Sequence, residues 1–158
     1  MKNDRFLLGI LIGIGLLVAL ALGLYFLRQE QPAYRSDETP EGVVHNYVTA
    51  VQLGDYERAY TYLAEKSDKP TYNTFRQAFI SMLDPENASL QIGGSYSSTP
   101  GEADVEVTIL RSNNGLFGGT YREQQNVMLT LQNGEWKIFS GPYPYWNWDW
   151  YQATIKTP

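Results

Sequence analysis

The longest uncharged stretch of the chain decides most about what it can become. Phe6 to Leu27 read FLLGILIGIGLLVALALGLYFL, with no charge and no strongly polar side chain. At 1.5 Å per residue such a helix spans roughly 33 Å, enough for a hydrocarbon core of about 30 Å. Its backbone bonds close within the helix, so none is lost in lipid. A cleaved signal peptide is the competing reading, because Ala19-Leu20-Ala21 has the small-x-small form. Yet Leu22 to Leu27 continue the apolar run, whereas a cleavage site follows about 7–15 apolar residues and opens into polar chain. Residues 6–27 are therefore expected to be an uncleaved, single-pass anchor. Lys2 and Arg5 precede it and Arg28 and Arg35 follow it, an almost balanced positive-inside count. A short segment ahead (1–5) and a folded domain behind make an N-in signal anchor the simplest topology. The domain is then expected to be extracytoplasmic. Gly9 and Gly13 form GxxxG, which marks a possible face for helix dimerisation, although glycine is common in membrane helices anyway.

The remainder is long enough to bury a core without staples. It has no cysteine, which removes disulfides, thiolate metal sites and cysteine nucleophiles. The formal charge is −5, of which the first 27 residues contribute +1 and the rest −6. An acidic domain is repelled by phosphate backbones and anionic lipid headgroups, so nucleic acid is not an expected partner.

Residues 28–38 are polar, carry Pro32 and read as a tether. A helix then starts sharply: Thr39 as N-cap, Pro40 at the first position, Glu41 at the positive end of the dipole. Val43, Val44, Tyr47, Val48 and Val51 form its apolar face, and Gly54 ends it. Asp55 caps a second helix that turns Tyr56, Ala59, Tyr60 and Leu63 inward. A third helix is expected from Thr71 or Tyr72 to about Leu83, with Phe75, Ala78, Phe79 and Met82 buried, stopped by Asp84-Pro85.

After Pro85 the period changes to 2. Leu90, Ile92 and Tyr96 alternate with polar residues, and Gly93-Gly94 mark a bulge or bend. Ala103, Val105, Val107 and Ile109 alternate strictly with polar residues, as on a half-buried antiparallel strand. Val127, Leu129 and Leu131 lead into Asn133-Gly134, then Trp136 and Ile138. A type I′ turn there sets Leu131 opposite Trp136 and Leu129 opposite Ile138. The fold class is α+β: an N-terminal transmembrane helix, then three helices packed on a curved antiparallel sheet of about four strands.

The segment TPEGVVHNYVTAVQLGDYERAYTYL, Thr39 to Leu63, resembles the opening of the nuclear transport factor two-like (cystatin-like) superfamily. The likeness rests on the corner Gly54-Asp55-Tyr56 followed by Ala59, Tyr60 and Leu63, and on the closing strand around Gly134, Glu135 and Trp136. It covers most of residues 39–140. The resemblance implies a cone whose sheet wraps a long helix around an apolar pocket. It also implies relatives of several kinds: enzymes similar to ketosteroid isomerase, ligand binders, interaction modules, membrane-anchored bacterial envelope domains, and a non-catalytic spacer domain in some penicillin-binding proteins. Fold likeness does not choose among them.

Nor do the chemical groups assemble a site. His45, the only histidine, falls with Gly42, Thr49 and Gln52 on the polar face of the first helix and reads as solvated. Asp55 is accounted for as an N-cap. Isomerase-type chemistry needs an acid inside the cone, and the inward positions Val105, Val107, Leu129, Leu131, Trp136 and Ile138 include none. The carboxylates are scattered, so no metal and no cofactor is expected. The loop Ser112 to Gly119 is glycine-rich without phosphate-loop spacing and carries Phe117 at its tip.

The least ordinary feature is the aromatic segment Tyr143 to Tyr151, within residues 142–158, which holds three of the four tryptophans. If extended, Trp146, Trp148 and Trp150 share one face and Tyr145 lies on the other. Tyr143, Tyr145, Trp146, Trp148, Trp150 and Phe117 are then candidate contacts. The segment reads as a lid over its own cone, a protein or homodimer interface, a platform for glycan rings, or a membrane-interface contact. The expected function is a non-enzymatic, membrane-anchored envelope module that binds an envelope protein, a second copy, a glycan or a small apolar ligand. An acid–base enzyme and a passive spacer are the alternatives.

Overall fold

A computed structural model describes residues 3–28, 33–97, 99–112 and 119–152 and divides the chain into two units, Met1–Ala33 and Tyr34–Pro158. The first is one helix, α1 (Asn3–Arg28). Its stretch Leu7–Leu24 has a mean hydropathy of 2.8 and is long and apolar enough to cross a membrane. Every side chain of that stretch is exposed, and a Cβ added at Gly9 or Gly13 would meet nothing within 4 Å.

The second unit holds α2 (Pro40–Gln52), α3 (Tyr56–Thr61), α4 (Tyr72–Ser81), a 3-10 turn at Pro85–Asn87, then β1 (Ala88–Tyr96), β2 (Glu102–Ser112), β3 (Thr120–Gln132) and β4 (Glu135–Ser140). The strands form one antiparallel sheet in sequence order. The caps do what their side chains dictate: Thr39, Asp55 and Thr71 accept from the backbone N–H groups of Gly42, Arg58 and Thr74. Asn133 and Gly134 take φ of 53° and 86°, and Leu131 pairs with Trp136 and Leu129 with Ile138. This is the I′ hairpin its sequence demands. The β1–β2 register shifts between Ile92 and Ser95, at the glycine pair. The outer edge of β4 is closed where the Ile138 N–H donates to the Tyr62 carbonyl and the Ala64 N–H donates to that of Ile138, both at 2.8 Å.

Several expectations give way. α4 ends at Ser81, and Met82 leaves helical geometry. Met82 therefore points outward and Leu83 takes the buried place. Leu131 lies at the end of its strand and is exposed, Trp136 is half-buried, and Tyr96, beyond the glycine bulge, is exposed. β3 starts at Thr120, because the polar stretch Tyr121–Asn126 is ordered by pairing with β2 rather than by alternation of its own.

The largest change concerns α2, whose expected solvent face stays exposed at Gln52 and is otherwise covered. Gly42, Asn46 and Thr49 are buried and His45 is half-buried. The stretch entering the unit lies along that face. Asn46 Nδ2 donates to the Arg35 carbonyl at 2.9 Å, and the Arg35 N–H donates to Asn46 Oδ1 at 2.7 Å. A Cβ at Gly42 would lie 1.9 Å from the Ser36 carbonyl oxygen, so only glycine admits that approach.

Candidate functional site

The aromatic segment was the sequence's main candidate, and it is not extended. Residues 141–152 run through consecutive turns, with a cis peptide bond between Tyr143 and Pro144. Trp146 and Trp150, four apart, come onto one side, and Trp148 is thrown outward. Tyr145, Trp146 and Trp150 are 1%, 5% and 4% exposed, whereas Trp148 is 65% exposed. Tyr143 and Tyr151 are half-buried, Phe117 lies outside the described residues, and Gly9 and Gly13 belong to the other unit. The expected grouping of three tryptophans on one face is thus corrected to two inside and one outside. A one-turn spacing, not an extended one, sets which rings meet.

The inward rings join the helices. Trp150 lies 5.0 Å from Phe75 and 5.9 Å from Phe79, centroid to centroid, and meets Trp146 edge-on at 5.1 Å. Trp146 stacks on Tyr151 at 5.7 Å and reaches Tyr47 at 6.4 Å. Hydrogen bonds hold the tyrosines of this cluster in place. The Tyr47 hydroxyl donates to the Tyr145 carbonyl at 2.6 Å, and the Tyr145 hydroxyl donates to the Ala88 carbonyl at 2.8 Å while accepting from Gln52 Nε2 at 3.1 Å. The Tyr151 hydroxyl donates to the Ala64 carbonyl at 2.5 Å. Arg111 donates to the Tyr143 carbonyl at 2.9 Å and lies 4.8 Å from the centre of its ring. Loss of water around the phenols raises the pKa of Tyr47 well above its usual range and raises those of Tyr145 and Tyr151. All three are held as neutral donors.

Within the sheet, Val105, Val107, Ile109, Leu129 and Ile138 are wholly unexposed. One carboxylate shares their face. The unbroken β2–β3 register pairs Val105 with Val127 and Ile109 with Glu123, so Glu123 stands on the inward side of β3 at its far end. It is half-buried and accepts from Gln125 Nε2. This qualifies the expectation that no inward position is acidic. It was missed because Tyr121–Asn126 carries no apolar alternation from which to read a face. Among the described residues no group of three or more His, Cys, Asp or Glu could hold a metal.

No family model and no curated protein sequence matches the chain. Solved structures do. A SEC-C motif containing protein from Rhodopseudomonas palustris matches with a TM-score of 0.50 at 18% identity, covering 69% of this chain and 81% of that one. A ketosteroid isomerase-like protein from Erwinia carotovora atroseptica matches at 15% identity and a TM-score of 0.44, over 70% of this chain and 92% of that one. An uncharacterized protein with a cystatin-like fold from Caulobacter vibrioides matches at 14% identity and 0.45, over 62% and 80%. Other solved neighbours are nuclear transport factor two-like proteins. At 18% identity the likeness to the Rhodopseudomonas palustris protein is one of fold alone.

Proposed function

We propose that the chain is a membrane-anchored module that works through its outer surface as a protein-interaction domain, and not by chemistry or ligand capture inside the sheet. The observation that carries this reading is the filled interior. Tyr145, Trp146 and Trp150 pack against Tyr47, Phe75 and Phe79 and fill the space among the helices with protein side chains. The hydroxyls of Tyr47, Tyr145 and Tyr151 already donate to backbone carbonyls, so none of the three is left to polarise a substrate. Glu123 lacks such a partner set for isomerase chemistry: its described neighbour is a glutamine amide.

In this reading α1 spans the membrane, with Lys2 and Arg5 on the cytoplasmic side and the acidic unit in the envelope. A reporter fused after Pro158 tests the orientation; a cytoplasmic signal overturns it. Crosslinking and pull-down of the full chain from native membranes tests the interaction, with a reproducible protein partner expected. Titration with a ketosteroid is expected to leave tryptophan emission unchanged, because Trp146 and Trp150 are already packed among Tyr47, Phe75, Phe79 and Tyr151. A saturable shift of that emission would return the chain to the ligand binders or the enzymes.

A further inference from the structure

A surface groove on the second unit combines features that point to one kind of partner. Its larger lobe, about 800 Å³, lies between the C-terminal ends of α2 and α4 and the turn at Pro85–Asn87. Leu53, Ile80 and Met82 line it and are 45%, 54% and 62% exposed. A second lobe of about 600 Å³ continues past Met82, which both share, between α4 and Trp150. Three large apolar side chains left in water around one concave surface are unusual for an isolated domain and mark a contact site.

The charge around these apolar groups has one sign. Asp84 and Glu86 line the larger lobe and Asp68 and Asp149 the smaller, while neither lining contains a lysine or arginine. Arg76 of α4 lines neither lobe. Two helix C-termini add partial negative charge at the larger lobe, because Val51 to Gly54 close α2 and Ile80 to Leu83 close α4. Neither helix carries a basic residue in its last turn to offset it.

We infer that this groove takes a basic amphipathic segment of a partner protein, with apolar side chains seated on Leu53, Ile80 and Met82 and Lys or Arg side chains against Asp84, Glu86, Asp68 and Asp149. Charge complementarity selects this occupant. A second copy would bring another unit of charge −6 to the same acidic rim, and anionic headgroups would be repelled by it. The inference rests on the interaction reading above and names the surface and the partner's chemistry.

The test uses the full chain in nanodiscs of phosphatidylcholine. The probe is a fluorescein-labelled helical Leu/Lys peptide of about 14 residues, about 21 Å long as a helix. Anisotropy is compared among discs with the wild-type chain, discs with Asp84→Lys/Glu86→Lys, and empty discs, so that partition into lipid cancels. Both substituted residues are exposed, and near-UV circular dichroism checks that the variant stays folded. Binding to the wild type is expected to weaken ~10-fold or more in the variant, and ~10-fold between about 50 and about 500 mM salt. Equal binding to wild type and variant overturns the assignment. In parallel, a photo-crosslinking residue is placed at Met82, and another at Tyr121 on β3, in native membranes. Adducts from Met82 should map to a segment rich in Lys or Arg and apolar residues. Adducts only from Tyr121, or from Met82 to a second copy of this chain, overturn the groove while leaving an interaction module in place. Capture from neither position brings down the interaction reading itself.

Discussion

The chain contains two long helices, and they solve opposite problems with similar means. α1 is apolar from Phe6 to Leu27, and a Cβ added at Gly9 or Gly13 would lie in open space. α2 is buried along most of its length, and it carries Asn46, Thr49 and the Tyr47 hydroxyl into the interior. Burial by lipid asks only for apolar surface, because lipid offers no partners. Burial by protein admits polar groups, provided that each meets a placed donor or acceptor. Glycine shows the contrast best: at Gly13 it faces open space, and at Gly42 it is the one residue that lets the Ser36 carbonyl approach.

The contrast breaks most completely if α2 loses its cover. Truncation after Gly141 removes Tyr145, Trp146 and Trp150, each of them buried against the helices. Deleting one buried aromatic side chain costs about 3–5 kcal/mol, so three together exceed much of a domain's usual 5–15 kcal/mol. The truncated chain should lose its near-UV circular dichroism and its cooperative unfolding. A truncated unit that melts cooperatively near the wild-type temperature would show that the segment is an addition to the fold and not part of its core.

That dependence marks where sequence reasoning stopped. Caps, the Asn133-Gly134 hairpin and the alternation along β2 were legible because each is local: the residues that make the structure lie within a few positions of one another. The cover of α2 is not local. Asn46 meets Arg35, Tyr47 meets Tyr145, and Trp150 meets Phe75 across stretches of chain that no periodicity links. A helical wheel therefore assigned Gly42 and Thr49 to solvent, and an assumed extended conformation put Trp148 beside Trp146. The groove around Met82 was hidden for a related reason. Its position depends on α4 ending one residue before Met82, and helix ends are the least certain feature of a helical pattern.

A smaller effect follows from the stretch that lies along α2. Gly42→Ala sets a methyl against the backbone of Ser36, which cannot swing aside as a side chain would. Overpacking of this kind costs about 1–3 kcal/mol, and this contact belongs at the upper end. Asn46→Ala removes both hydrogen bonds to the Arg35 backbone, each worth about 0.5–1.5 kcal/mol. Gly13→Ala on α1 is the matched control and should leave the unfolding of the second unit unchanged. Chemical denaturation of the three variants checks all of this. Equal midpoints for Gly42→Ala and Gly13→Ala would mean that the stretch at Arg35–Ser36 lifts away freely, and that α2 is covered on fewer sides than α1's counterpart should be.

The mildest probe is alkali, which acts on α2 through Tyr47. Burial raises the Tyr47 pKa in the folded unit, and those of Tyr145 and Tyr151 move the same way. A tyrosine whose folded-state pKa exceeds its unfolded value of about 10 keeps its full contribution below that pH. As pH rises beyond about 10 the unfolded chain releases protons that the folded one retains, and stability falls by up to about 1.4 kcal/mol per pH unit for each such group. The denaturation midpoint should therefore hold steady from about pH 7 to 9 and fall above about pH 10. Tyr47→Phe removes one of these protons together with its bond to the Tyr145 carbonyl. At neutral pH that bond is worth about 1 kcal/mol, and above pH 10 the variant should decline less steeply than the wild type. The two stability curves then converge as pH rises. Parallel curves would place the Tyr47 hydroxyl within reach of water, and the interior of the second unit would be open where its fold describes it as closed.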